Sequence, residues 1–184
     1  FPIAGTFKRS GDDKLDKMLS DRLLADTKEN SEHVMLVDLA RNDLSKVSNN
    51  VTVERFKDIQ YYSHVIHLVS KVSGKVSKDK KIDLISGTFP AGTLSGAPKY
   101  KALELIDKYE NISREFYGGA IGFMGFNGDF NHAIMIRSFL SKNKKLYYQA
   151  GAGIVAKSDK INENKEIYNK IDALRNALRI AEKL

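Results

Sequence analysis

Gly118-Gly119-Ala120-Ile121-Gly122-Phe123-Met124-Gly125-Phe126-Asn127-Gly128 ends on the dipeptide that most strongly signals a tight β-hairpin. Reading outward from it, residues 130–140 supply a returning strand, and Lys142-Asn143-Lys144-Lys145 reads as a turn into a third strand over 146–156. Downstream, Ile167, Ile171, Leu174, Leu178 and Ala181 fall on one face of a helix over about 160–183. Upstream, Leu15, Met18, Leu19, Leu23 and Leu24 recur at helical spacing over about 12–25. Asp26 followed by Glu29 resembles a capping box. Behind it Leu36, Val37, Ala40, Leu44 and Val47 predict a helix over about 27–46, although Val34-Met35-Leu36-Val37 alone reads equally well as a strand. Residues 51–56 and 64–76 are β-branched and read as strands, whereas Phe1–Thr6 reads as a strand end or loop. The small-residue run 87–98 reads as a loop, with Pro98 opening a helix to about 109. Helices segregated around antiparallel strands define an α+β class, antiparallel sheets with packed helices. No internal repeat or linker interrupts the chain, and no separate second domain is expected.

The 184 residues can bury a core. Hydrophobic residues make up 42% and charged residues 29%, which excludes wholesale disorder. There is no cysteine, so a disulfide scaffold, a thiolate zinc site and a cysteine nucleophile are excluded. No apolar run approaches the ~18–20 residues of a membrane helix, and the expectation is a cytoplasmic protein. The chain begins with Phe1 rather than Met, which fits processing or excision from a longer chain. The net charge of +7 suits either a basic nucleic-acid-binding module or a small anionic substrate. The lysines are interleaved with acids, which favours the second.

Four acidic residues share a spacing: Glu29 with Glu32, and Glu163 with Glu166. On helices each pair faces one side, and hard cations such as Mg²⁺ prefer carboxylate oxygens. Ordinary solvated helix faces give the same pattern, and Lys170 fits an i,i+4 ion pair with Glu166. Gln149-Ala150-Gly151-Ala152-Gly153 closes a strand, and its glycines permit amide contact with an anion or simply a bulge. Arg137, in the apolar run Ala133–Arg137, either grips a carboxylate or faces solvent. Tyr117 is a ligand donor or a core residue. His67 is an acid, base or orienting donor, or a structural histidine.

At these residues the chain resembles the chorismate-utilising enzymes, most closely those of the anthranilate synthase component I type. The stretches that carry the resemblance are Pro2–Thr6, Glu32–Asp43, Tyr62–Ser70, Phe89–Lys99, Tyr117–Ala120, Gln149–Val155 and Asn169-Lys170, in the family's order across almost the whole chain. The resemblance implies that Glu32 and Glu166 bind Mg²⁺ directly, with Glu29 and Glu163 acting largely through metal-bound water. It implies that Tyr117, Arg137 and Gly151 bind the enolpyruvyl carboxylate of chorismate. Gly153 and Lys170 then lie on the ring-carboxylate and metal side, Thr93 lies near the substrate, and Thr6 is a weaker candidate. His67, not His64, matches the active-site histidine.

The implied reaction gives anthranilate and pyruvate, with ammonia supplied by a glutamine amidotransferase partner, component II. Ala4 stands where one type of aminodeoxychorismate synthase carries a nucleophilic lysine, which favours the anthranilate type; isochorismate and salicylate synthases also carry alanine there. The family's catalytic domain begins well upstream of Pro2. The resemblance therefore implies that residues 1–184 are the carboxy-terminal portion, about two-thirds, of one chorismate-binding catalytic domain. Alone, this portion is expected to be inactive or nearly so, with an exposed sheet edge.

Overall fold

The computed structural model describes residues 1–156 and 158–183. It is α+β and falls into two compact units, Phe1–Thr88 and Phe89–Leu184. In the first unit the order is β1 (Ile3–Lys8), α1 (Asp13–Ala25), α2 (Thr27–Ser45), β2 (Asn49–Tyr61), β3 (Val65–Lys75), a 3₁₀ turn (Lys78–Lys80) and α3 (Lys81–Thr88). The three strands form one antiparallel sheet in the order β1-β3-β2. Strand β3 is central, and Ile66 and Leu68 on it are fully buried with Leu23 of α1. Phe7, Leu19 and Ile59 pack around that core. Burying side chains of this size contributes about 1.5–3 kcal/mol each.

Both long helices of this unit begin on aspartate caps. Asp12 accepts from the amides of Lys14 and Leu15, and Asp26 from those of Lys28 and Glu29. Each cap satisfies two of the amides that a helix start leaves unpaired. Asp26 therefore ends α1 and starts α2, and Glu29 falls in the first turn of α2. The segment Val34–Val37 is helical because it lies inside this capped stripe, whose Val37 is buried. Of the two readings of Phe1–Thr6, the strand holds from Ile3: Ile3–Lys8 pairs with β3, and Ile3 stands opposite Val69.

The second unit contains the helical turn α4 (Gly92–Ser95), α5 (Lys99–Tyr109), β4 (Ala120–Met124), β5 (Phe130–Ile134), β6 (Leu140–Lys142), β7 (Lys145–Tyr147) and α6 (Lys160–Ala181). Its strands form two separate hairpins, β4-β5 and β6-β7. The Asn127-Gly128 hairpin is present, with a three-residue loop. Gly128 N–H donates to the Gly125 carbonyl at 2.8 Å, and Gly125 N–H to that of Asp129 at 2.7 Å. Gly128 takes φ +79°, the left-handed residue that closes such a loop. Lys142–Lys145 is a two-residue turn with Asn143 and Lys144 at φ 52° and 59°.

Several expectations need correction. The small-residue run 87–98, read as a loop, begins on the last residues of α3 and contains α4. Pro98 is the residue before α5 rather than its first turn. The strand expected over 130–140 ends at Ile134, where the Ile136 N–H donates back to the Ile134 carbonyl at 2.9 Å. Arg137 therefore lies outside the strand, in a left-handed conformation at φ 50°. Strand β7 stops at Tyr147, so Gln149–Gly153 closes no strand. The α6 stripe is as expected: Leu174 is buried and Ile167, Ile171 and Leu178 are partly covered, whereas Ala181 is exposed.

Candidate functional site

In the first unit, three separate stretches of sequence converge on Thr6. Its backbone N–H donates to Glu29 Oε2 at 3.2 Å, and its Oγ1 lies 2.9 Å from His67 Nδ1. The register explains the second contact, since Thr6 stands directly opposite His67 across β1 and β3. A bulge between Ala4 and Thr6 sets that register. Gly5 occupies it at φ +80°, and a Cβ there would meet Leu68 Cδ1 at 3.1 Å. Both the conformation and the close approach call for glycine.

His67 Nδ1 also lies 3.3 Å from the Gly5 carbonyl. A carbonyl only accepts, so this contact assigns the hydrogen to Nδ1. The Tyr62 ring meets the imidazole edge-on, with centroids 5.4 Å apart. Glu29 and Glu32 stand on adjacent turns of α2. Burial, then the neighbouring charge of Glu32, push the Glu29 carboxyl up from its ordinary range, against the Thr6 amide that lowers it. A hard cation would relieve that repulsion, and two oxygen-donor side chains suit Mg²⁺. The chemistry of the pair therefore fits the metal.

Behind this site His33 is fully buried, and its Nε2 meets Ser70 Oγ at 2.6 Å. Ser70 Oγ also accepts from the Lys57 amide at 3.0 Å. This contact fixes the face of α2 behind Glu32 against β3. Neither His33 nor Ser70 stood out as a candidate; both lie inside the quoted motifs.

In the second unit a chain of contacts joins five predicted or neighbouring residues. Lys170 Nζ pairs with Glu166 Oε1 at 2.7 Å and donates to the Gly151 carbonyl at 3.0 Å. The Tyr117 hydroxyl faces Gly151, where an added Cβ would lie 3.5 Å from it. Tyr117 is buried, and that burial raises its phenol above the ordinary value. The Arg114 guanidinium lies over its ring, 5.8 Å from the centroid. Glu163 is buried in the first turn of α6, where a helix start favours negative charge. Thr93 lies on α4 and is exposed, as are Arg137 and Gly153; a Cβ added at Gly153 would meet nothing within 4 Å.

The structure thus gathers Thr6, Glu29 and His67 within one unit, and Tyr117, Gly151, Lys170 and Glu166 within the other. Among the described residues no three His, Asp or Glu side chains cluster closely enough to hold a metal ion. No helix among them is long and apolar enough to cross a membrane. Arg114 escaped the sequence reading. Its only signal was the i,i+4 spacing from Glu110.

An α+β scaffold carrying acidic pairs at helix starts, with arginine, tyrosine and glycine amides in the second unit, has the makings of an anion-binding enzyme. The family model for chorismate binding enzymes matches residues 1–176, and the chain belongs to that family. It is 49% identical over 180 residues to anthranilate synthase component 1 of Acetivibrio thermocellus, covering 96% of this chain and 36% of that protein. The crystal structure of anthranilate synthase component I from Streptococcus pneumoniae TIGR4 superposes with a TM-score of 0.81 at 40% identity, covering 92% of this chain and 40% of that one. The menaquinone-specific isochorismate synthase from Escherichia coli superposes with a TM-score of 0.85 at 27% identity, covering 95% and 40%. The chain thus spans a little over a third of the length of the curated relatives it matches.

Proposed function

We propose that this chain is part of an anthranilate synthase component I, a lyase of tryptophan biosynthesis working in the cytoplasm. The observation that carries the reading is the 49% identity with anthranilate synthase component 1 along nearly all of this chain. The sequence identity with an isochorismate synthase structure, 27%, is lower than the 40% with an anthranilate synthase structure.

In this reading chorismate, a dianion, meets two sets of residues. Arg137, Tyr117 and the Gly151 amide bind its enolpyruvyl carboxylate, with Thr93 beside the substrate. Lys170 and Gly153 serve the ring-carboxylate side. Glu32 and Glu166 would bind Mg²⁺ directly, with Glu29 and Glu163 acting largely through metal-bound water; when bound, the ion would supply positive charge to polarise the ring carboxylate. His67, oriented by Thr6 and the Gly5 carbonyl, moves protons at the ring. Ammonia forms the C2–N bond as the C4 hydroxyl leaves as water. Loss of the C2 proton with the enolpyruvyl group then yields anthranilate and pyruvate. In this reading ammonia comes from glutamine through an amidotransferase partner; these 184 residues hold no cysteine to serve as its thiol nucleophile.

The test is the full-length protein given chorismate, Mg²⁺ and ammonium. Fluorescent anthranilate is expected; isochorismate, or no turnover, overturns the reading. Glu32→Gln is expected to cost about 100-fold in activity and to raise the Mg²⁺ requirement; unchanged activity removes the metal assignment. The purified 184-residue chain is expected to show no measurable turnover, and to associate through its sheet edges when followed by light scattering.

A further inference from the structure

We propose that Arg114 is a positioning residue, one that holds Tyr117 and the Thr93 turn in a common frame. The proposal rests on the reading that Tyr117 and Thr93 face chorismate.

The geometry starts at the end of α5. Glu110, the residue that closes this helix, grips the Arg114 guanidinium in two-pronged fashion, at 2.8 Å to Nε and 2.5 Å to Nη2. The pairing pushes the Glu110 carboxyl down and the guanidinium up. The remaining arm, Nη1, donates to the Leu94 carbonyl at 2.6 Å, one residue beyond Thr93. The same guanidinium lies over the Tyr117 ring. The Tyr117 N–H donates to the Arg114 carbonyl at 2.7 Å, so the backbone shares the link.

The neighbouring residues extend the frame. Gly118, at φ +79°, lies beside Leu94: an added Cβ would be in ordinary contact with Leu94 Cγ, at 3.5 Å. The Gly118 N–H donates to the Met135 carbonyl at 2.9 Å, and the Met135 N–H to that of Gly119 at 2.8 Å, two residues before Arg137. A planar fork with five donors can satisfy Glu110, Leu94 and the ring face together; a lysine ammonium cannot. Arg114 is neither a surface ion pair of little consequence nor a substrate ligand. Its contacts are the Glu110 carboxylate, the Leu94 carbonyl and the Tyr117 ring, and the last two belong to the predicted substrate wall.

The experiment uses the full-length protein with Arg114→Met, Arg114→Lys, Glu110→Gln, Tyr117→Phe and Arg175→Met. The last is a control, since Arg175 stacks on Tyr168 at 5.5 Å and touches no predicted site residue. Arg114→Met is expected to raise the chorismate KM about ten-fold with kcat changed less than about two-fold, the signature of lost ground-state positioning. Arg114→Lys should not rescue it. The double variant with Tyr117→Phe should be no worse than the worse single one, because the two residues act as one unit.

A second readout is independent of turnover. With tyrosines labelled at the ζ-carbon and Tyr117 assigned by Tyr117→Phe, its resonance should move in Arg114→Met and stay put in Arg175→Met. Glu110→Gln should move KM and resonance the same way by less, and it serves if Arg114→Met does not fold. An unmoved resonance, an unchanged KM, or additive single and double variants overturn the proposal. Wild-type protein that makes no anthranilate overturns the functional reading alone, and the resonance still decides Arg114.

Discussion

Thr6 carries little weight in the sequence, yet it joins an acidic helix start to an imidazole. Its amide and hydroxyl contact Glu29 and His67, residues that lie 23 and 61 positions away. Such a meeting is invisible to periodicity, because it depends on a one-residue bulge at Gly5. His67 was legible as a strand histidine, but the partner that orients it was not. Thr6→Val is expected to lower kcat about ten-fold or more while leaving folding intact, with the loss read at saturating chorismate. Nearby, Asp16 is buried and bound by the Arg9 guanidinium at 2.7 Å and by Ser10 through both amide and hydroxyl. The arginine bond, first among these causes, holds its carboxyl below the usual range. A depressed carboxylate stabilises the fold above its unfolded value near ~3.9, and that stability drains away as pH falls through the folded value. Asp16→Asn should therefore melt at a lower temperature than wild type at pH 7, with the gap closing in acid.

Among the elements, the hairpins make the clearest tests. Lys144 sits at φ 59° beside Asn143 at 52° in a turn whose geometry favours Asn-Gly. Lys144→Gly relieves left-handed strain and is expected to stabilise by about 0.5–1 kcal/mol, read by denaturant unfolding. Gly122 shows the opposite constraint: a Cβ there would lie 2.2 Å from the Asn131 carbonyl of the paired strand. Gly122→Ala should cost about 1–3 kcal/mol, whereas Gly153→Ala, which meets nothing, should leave stability unchanged. These elements also show what the sequence could convey. Helices with aspartate caps and apolar stripes, such as α1, α2 and α6, were legible nearly to the residue, because cap and stripe are local. Helix α3 was not. Its Lys81-Ile82-Asp83-Leu84 start carries none of the usual capping residue types at its head, and none of its residues is buried. The loss of strand at Ile134 escaped as well, since a backbone turn on apolar residues leaves no compositional mark. Arg137 was consequently expected on a strand it does not occupy.

At the scale of the molecule, buried apolar side chains are unevenly shared. Among the described residues, Leu23, Val37, Leu39, Ile66, Leu68 and Val69 belong to the first unit, but only Tyr117 and Leu174 to the second. The β4-β5 hairpin exposes Ile121, Phe123 and Phe126. Amide hydrogen exchange is expected to be slowest along β3, which is bonded on both sides, and fast along β4 and β5, bonded only to each other. Uniform protection across both units would contradict this. The acidic pairs were legible as spacings, but their division, one pair to each unit, was not. Spacing reports the face of a helix and says nothing of which unit that helix joins.

The uneven core also bears on how the chain is made. Every strand of the β1-β3-β2 sheet, and both helices packed on it, lie before Thr88. On the ribosome the partners of that sheet have all been polymerised while residues 89–184 still await translation. At about 5–20 residues per second, synthesis of that stretch takes on the order of 5–20 s. Sheets of this kind close in milliseconds to seconds. The half bearing Thr6, Glu29 and His67 thus has time to assemble before the half bearing Tyr117 and Lys170 has left the exit tunnel. A pause in translation near Thr88 would widen that interval.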